Sequence, residues 1–66
     1  MSLTLRQWRL AKEISQESMA ERLQVHVNTY QKWEKEPGKI GIDKAKKIID
    51  ILGVNIDEIS FKAKEG

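Results

Sequence analysis

Along this chain a small or polar residue recurs with an apolar residue just before it and another four places after it. That arrangement marks helix starts: the central residue caps the first free N–H groups, and the apolar pair staples the incoming chain to the first turn. Thr4 stands between Leu3 and Trp8, with Gln7 completing a capping box, and Ser15 stands between Ile14 and Met19. His26 follows with Val25 and Tyr30, Gly41 with Ile40 and Ala45, and Asn55 with Val54 and Ile59, where Glu58 offers a second capping box. Signals this close together leave room only for short helices, which the spacing places at about residues 5–12, 16–23, 27–35, 42–52 and 56–61. Pro37-Gly38 ends the third and Gly53 the fourth, while the tail over 62–66 is expected to fray. No strand pattern, repeat or low-complexity segment interrupts the series. The expected fold is a single all-α domain of five helices.

Helical spacing then assigns faces. Leu5 and Trp8 of the first helix point to a core, with Leu10 or Ala11 beside them, while Arg6, Arg9 and Lys12 make a basic edge near the surface. Met19, Ala20 and Leu23 face inward from the second, where the small Ala20 lets the next helix cross closely. The fourth carries an apolar stripe of Ile42, Ala45, Ile48, Ile49 and Leu52.

The third helix is the one that looks outward. Asn28, Gln31, Lys32 and Lys35 recur at i, i+3, i+4 and i+7 and so share a face, while Tyr30 and Trp33 turn the other way to anchor the helix. Amide and amine donors in front of aromatic anchors suit the major groove of DNA. Asn or Gln there can pair two ways with adenine, and Lys can reach guanine or phosphate. Val27, on the lip before Asn28, is either a packing residue or a contact for a thymine methyl.

Bulk properties exclude more than they choose. A chain of 66 residues with 39% apolar content suits one small helical core, in which roughly 60% of the unfolded surface is buried. There are no cysteines, so disulfides and thiolate metal sites are out, and a reducing cytoplasm is the expected setting. His26, the single histidine, has no partner with which to ligate a metal, and no cofactor is expected. No apolar run approaches about 18 residues, and the start shows no signal-peptide core, so no membrane association is expected. The net charge of +2 leaves nucleic acid open without selecting it, so any phosphate-facing patch depends on placement.

Ser15-Gln16-Glu17, Ala20, Leu23-x-Val25 and Lys32-Trp33-Glu34, followed by Ile51 to Ile59, resemble the phage-repressor (Cro-like, XRE-type) helix-turn-helix family in order and spacing. The likeness spans about Leu5 to Phe61 and implies a repressor-like domain with the helix-turn-helix in helices two and three. It implies that Gln16 binds backbone phosphate and braces the recognition helix. By the same likeness His26, Val27, Asn28 and Lys32 meet base edges, and Lys35, Lys39, Gly41 and Lys44 belong to a phosphate-gripping loop and helix end. Ile56 and Phe61 either complete the monomer core or join a two-fold dimer seam, which the likeness favours. This chain departs from the family at three places. Gln24 stands where glycine is usual in the turn, Glu36 where glycine or asparagine is frequent, and His26 in place of a Ser or Thr cap. A left-handed Gln24 would cost about 1 kcal/mol.

The resemblance implies a sequence-specific DNA-binding transcriptional regulator, a repressor occupying an operator in double-stranded DNA, with a homodimer as the expected assembly. A second reading keeps the scaffold but docks a protein, as an antitoxin or adaptor does. An enzyme is disfavoured: the carboxylates are expected on exposed helical positions, no nucleophile is assembled with a base, and no small-molecule substrate is implied.

Overall fold

Three of the expected caps close through side chains in the computed structural model, which describes residues 2–61. Thr4 Oγ1 accepts from the Gln7 N–H at 3.1 Å while Gln7 Oε1 accepts from the Thr4 N–H at 2.9 Å, and this box starts α1, Leu5–Ala11. Ser15 Oγ accepts from the Ser18 N–H at 3.0 Å and starts α2, Gln16–Leu23. His26 Nδ1 accepts from the Asn28 N–H at 3.1 Å and starts α3, Val27–Lys35. An imidazole is a weak capping group, yet here it satisfies one of the N–H groups a helix start leaves free. A short 3-10 turn over Pro37–Lys39 leads to α4, Ile42–Leu52, whose cap residue Gly41 offers no side chain.

The helix ends follow from backbone chemistry. Gln24 adopts the left-handed conformation (φ 59°, ψ 43°) that the turn requires, so the chain carries a side chain where glycine would be free of strain. Its N–H and that of Val25 return to carbonyls of α2, with Val25 N to Ala20 O at 3.0 Å, closing the helix with satisfied carbonyls. Glu13 after α1 is left-handed as well (φ 58°), and Gly53 ends α4 at φ 68°.

Leu5, Met19, Ala20, Leu23, Tyr30, Ile48, Leu52, Val54 and Ile59 form one buried cluster. Trp8 and Trp33 pack against it half-buried, and the Trp8 indole N–H donates to the Glu58 carbonyl at 2.7 Å. α2 packs most extensively on α3, the arrangement a helix-turn-helix needs to hold its second helix at the surface.

The expected fifth helix over 56–61 does not form. Ile56–Glu58 makes one 3-10 turn, after which Ile59–Ser60 runs as strand β2 parallel to β1, Leu3–Thr4, with Leu3 opposite Ile59 and Thr4 opposite Ser60. The described residues therefore hold four α-helices and a two-stranded ribbon, in place of the expected five helices without strands. Two bonds close the turn early: Asn55 N–H to Glu58 Oε1 at 2.9 Å, and Glu58 N–H to Asn55 O at 2.9 Å. A single turn yields too few backbone bonds to offset helix nucleation. The β-branched Ile59 gains more in extended backbone (φ −124°, ψ 136°), where it is buried and its strand finds a partner at the chain start. The 62–66 tail lies outside the described residues.

Three side-chain placements also change. Ile42 was expected in the apolar stripe of α4 but sits in its first turn at 74% exposure, so the inward face begins at Ala45. Leu10 is exposed, and the inward position of α1 goes instead to Arg9, which is buried rather than part of a surface edge. Arg9 follows Leu5 by four residues, and i and i+4 share a helix face.

Candidate nucleic-acid interface

Asn28, Gln31, Lys32 and Lys35 are all exposed on α3, with His26 exposed at its cap. Tyr30 behind them is fully buried, and Trp33 and Val27 are half-buried against the core. The Asn28 N–H occupies His26 Nδ1, which leaves Nε2 as the ring's remaining polar atom at the tip of the helix.

What holds α3 in this pose is a polar cluster beneath it. Arg9 Nε donates to Glu34 Oε2 at 2.6 Å, and Arg9 Nη1 donates to the Ile14 carbonyl at 2.8 Å, so one guanidinium ties α1 both to α3 and to the α1–α2 turn. The Tyr30 hydroxyl donates to the same Glu34 oxygen at 2.6 Å, and Gln16 Nε2 donates to Glu34 Oε1 at 2.9 Å. Gln31 Nε2 then donates to Gln16 Oε1 at 3.1 Å, linking the buried cluster to the exposed face. No buried side-chain polar atom among the described residues is left without a partner.

Glu34 is the pivot. Its side chain is 4% exposed, which corrects the expectation that the carboxylates would lie on exposed positions. Burial by itself would raise its pKa; the hydrogen bonds from Arg9, Tyr30 and Gln16, with the Arg9 charge, outweigh burial and hold it below the ordinary carboxylate range. Tyr30 is pushed well above the ordinary tyrosine range by burial first, then by the hydrogen bond it donates to the carboxylate. Arg9 goes up: burial opposes its charge, and Glu34 more than compensates. At neutral pH the cluster is a compensated ion pair with a neutral phenol, a scaffold rather than a proton-transfer device.

A helix-turn-helix family model matches residues 5–59. The chain belongs to the XRE-type helix-turn-helix family. No curated protein and no solved structure gives a significant match. Membership makes this helix-turn-helix chain one of a family of DNA-binding regulators, generally non-enzymatic. Among the described residues no helix is long and apolar enough to cross a membrane, and no three His, Cys, Asp or Glu side chains converge.

The remaining expected contacts of this helix-turn-helix domain are placed unequally. Gln16 is half-buried at the first position of α2, both ends of its amide engaged. Lys39 is exposed and pairs with Glu36 at 3.3 Å, a surface ion pair of small energetic value. Gly41 is exposed, and nothing lies within 4 Å of where a Cβ would stand. Lys44 donates to the Leu23 carbonyl at 2.7 Å, serving the electron-rich end of α2. Ile56 is 67% exposed, whereas Phe61 packs half-buried against its own core, so the two are not equivalent. Arg6 is exposed on α1 and lines a cleft of about 440 Å³ together with Gln16, Gln31, Glu34 and Lys35. Arg6 belongs to the basic edge of α1 and has no expected contact of its own; its i+3 step to Arg9 is the one sequence signal that places it here.

Proposed function

We propose that this chain is a sequence-specific DNA-binding transcriptional regulator that represses by occupying an operator. The observation that carries the reading is the pose of α3: Tyr30 buried and bonded to Glu34 behind, Asn28 and Lys32 clear of the body in front. α3 lies in the major groove and α2 crosses the backbone. Asn28 pairs with adenine through its two amide groups, Lys32 donates to guanine, Val27 meets a thymine methyl, and His26 Nε2 donates at the near edge. Gln31, with its amide turned to Gln16, stands apart from this group. Gln16, Lys35, Lys39 and the free N–H groups behind Gly41 hold phosphates, with Lys44 in support through its remaining ammonium protons.

Two copies related by a two-fold axis would set their α3 helices roughly 34–36 Å apart on successive major grooves. The exposed Ile56 is the apolar residue offered to such a seam. Selection from random duplex DNA tests the reading, with the mass of the free and bound protein measured alongside. One enriched sequence, bound more weakly as salt rises, is expected. Absence of any preferred sequence, with no salt dependence, would overturn it in favour of a protein-docking module.

A further inference from the structure

The Lys44 ammonium is engaged inside the molecule. Its Nζ donates to the Leu23 carbonyl at 2.7 Å, reaching from the first turn of α4 to the last residue of α2. The last carbonyls of a helix have no partner within it. Those of Ala20 and Glu21 are met by the N–H groups of Gln24 and Val25, but no backbone N–H among the described residues reaches the Leu23 carbonyl. Leu23 is fully buried, so water cannot stand in for the donor. Lys44 could leave for a phosphate only by stranding that carbonyl, and a buried acceptor without a partner costs more than an exposed ion pair returns.

The position of this bond in the chain gives it a second consequence. Gln24, Val25 and His26 alone separate Leu23 from α3, and His26, Val27 and Asn28 are the residues offered to base edges. Gln24 holds φ 59°, a conformation that a residue with a side chain rarely adopts, so the turn keeps its shape only while its surroundings impose it. At the other end, Lys44 stands three residues after Gly41, whose neighbouring N–H groups face a phosphate in the reading above. One hydrogen bond therefore joins the start of α4 to the backbone that aims α3. Directional readout of bases needs its side chains held by such supporting bonds.

We propose that Lys44 is a positioning residue for base reading: through Leu23 it locks the turn between α2 and α3 to α4, so that the setting of α3 in the groove and the phosphate grip at α4 move as one. The inference rests on the DNA-binding reading above. It gives the ammonium a part in sequence preference, which contact with phosphate does not supply, because phosphate contacts carry no direct sequence information.

The test compares affinities of the whole chain for a duplex recovered by selection and for random duplex, at a temperature where melting curves show each variant folded. Lys44→Met keeps the stem and removes the donor. The ratio of the two affinities is expected to fall about fivefold, the lower end of what one good base contact supplies. Lys44→Arg keeps a donor and should recover most of the ratio. Lys39→Met, which removes a phosphate contact, should weaken both duplexes alike and preserve the ratio. Lys46→Met, at an exposed cation of the same helix, should shift the ratio less than about twofold. A merely structural role would lower the folded fraction and weaken both duplexes equally, without moving the ratio. The NMR shift of the Leu23 carbonyl carbon reports the bond itself. It should move in Lys44→Met, and in the wild-type chain it should stay away from that value when the selected duplex is added. An unchanged ratio in Lys44→Met, a ratio no better in Lys44→Arg, or an equal fall in Lys46→Met would overturn the assignment while leaving DNA binding intact. So would a wild-type carbonyl that reaches the Lys44→Met shift on DNA, the sign that the ammonium has left for a phosphate. A wild-type chain that binds no duplex would overturn the DNA reading, and this role with it, while the carbonyl shift of the free chain still reports the bond.

Discussion

Arg9 Nε lies 2.6 Å from Glu34 Oε2, joining the first helix to the third across 25 residues of chain, with both side chains nearly out of solvent. A buried pair of this kind stabilises less than its short distance suggests, because both ions lost their hydration. Its consequence is geometric. Glu34 has one arrangement that satisfies Arg9, Tyr30 and Gln16 together, and that arrangement fixes how α3 is presented.

Breaking one side of the pair should therefore cost more than removing both. Glu34→Ala leaves the Arg9 charge buried and is expected to lose about 3–5 kcal/mol in urea denaturation. The double variant Arg9→Met/Glu34→Gln keeps an acceptor for Tyr30 and strands no charge, so it should lose less than Glu34→Ala alone. A double variant at least as unstable as the single one would contradict this account.

Acid should act through the same carboxylate. The Glu34 pKa is lower in the folded chain than in the unfolded one. Its contribution is thus present in full above the ordinary carboxylate range and disappears as pH falls through the folded value. Wild-type melting temperature should drop through this range more steeply than that of Glu34→Gln. Parallel curves for the two would show that Glu34 is not the linked group.

The turn between α2 and α3 stores a removable strain. Gln24 holds φ 59° and is exposed, so Gln24→Gly should stabilise by up to about 1 kcal/mol, less whatever the added freedom of glycine costs the folded state. Gly53→Ala, with φ 68° and open space around it, should destabilise by about 1 kcal/mol through backbone strain alone. In a domain this small each kcal/mol appears as roughly 4–8 °C in Tm.

The closing segment distinguishes its isoleucines. Ile59 is buried beside β1, so Ile59→Ala should cost about 2–5 kcal/mol. Ile56, exposed on the 3-10 turn, should change monomer stability by no more than about 0.5 kcal/mol when replaced by Ala. Comparable losses at the two sites would favour a continuous helix over the turn and strand described here. A fall in the dimer fraction on Ile56→Ala, read by sedimentation, would support its place in a seam.

On DNA, specificity and grip should separate. Asn28→Ala is expected to lose about 1–3 kcal/mol on the preferred duplex and to blur base preference, whereas Lys35→Ala should weaken every sequence alike and reduce the salt slope by about 1. Equal losses for Asn28→Ala on specific and random duplexes would remove it from base readout.

Much of this molecule is decided locally, and to that extent by sequence. Thr4, Ser15 and Gln24 act within one or two turns of themselves, so the starts of α1 and α2 and the left-handed turn could be read residue by residue. The outward face of α3 follows from the same short-range periodicity, since side chains three and four apart must share a side. The partnership of Arg9 with Glu34 could not be read in that way. Position i+4 from Leu5 turns Arg9 inward, but which group meets it depends on how α1 crosses α3. The fate of 56–61 likewise turned on a distant strand: a weak helix signal lost to pairing with Leu3–Thr4 at the other end of the chain. Caps and faces are set by neighbours in sequence, whereas buried charges and edge strands are set by whichever remote group satisfies them, and only the packed chain brings that group into reach.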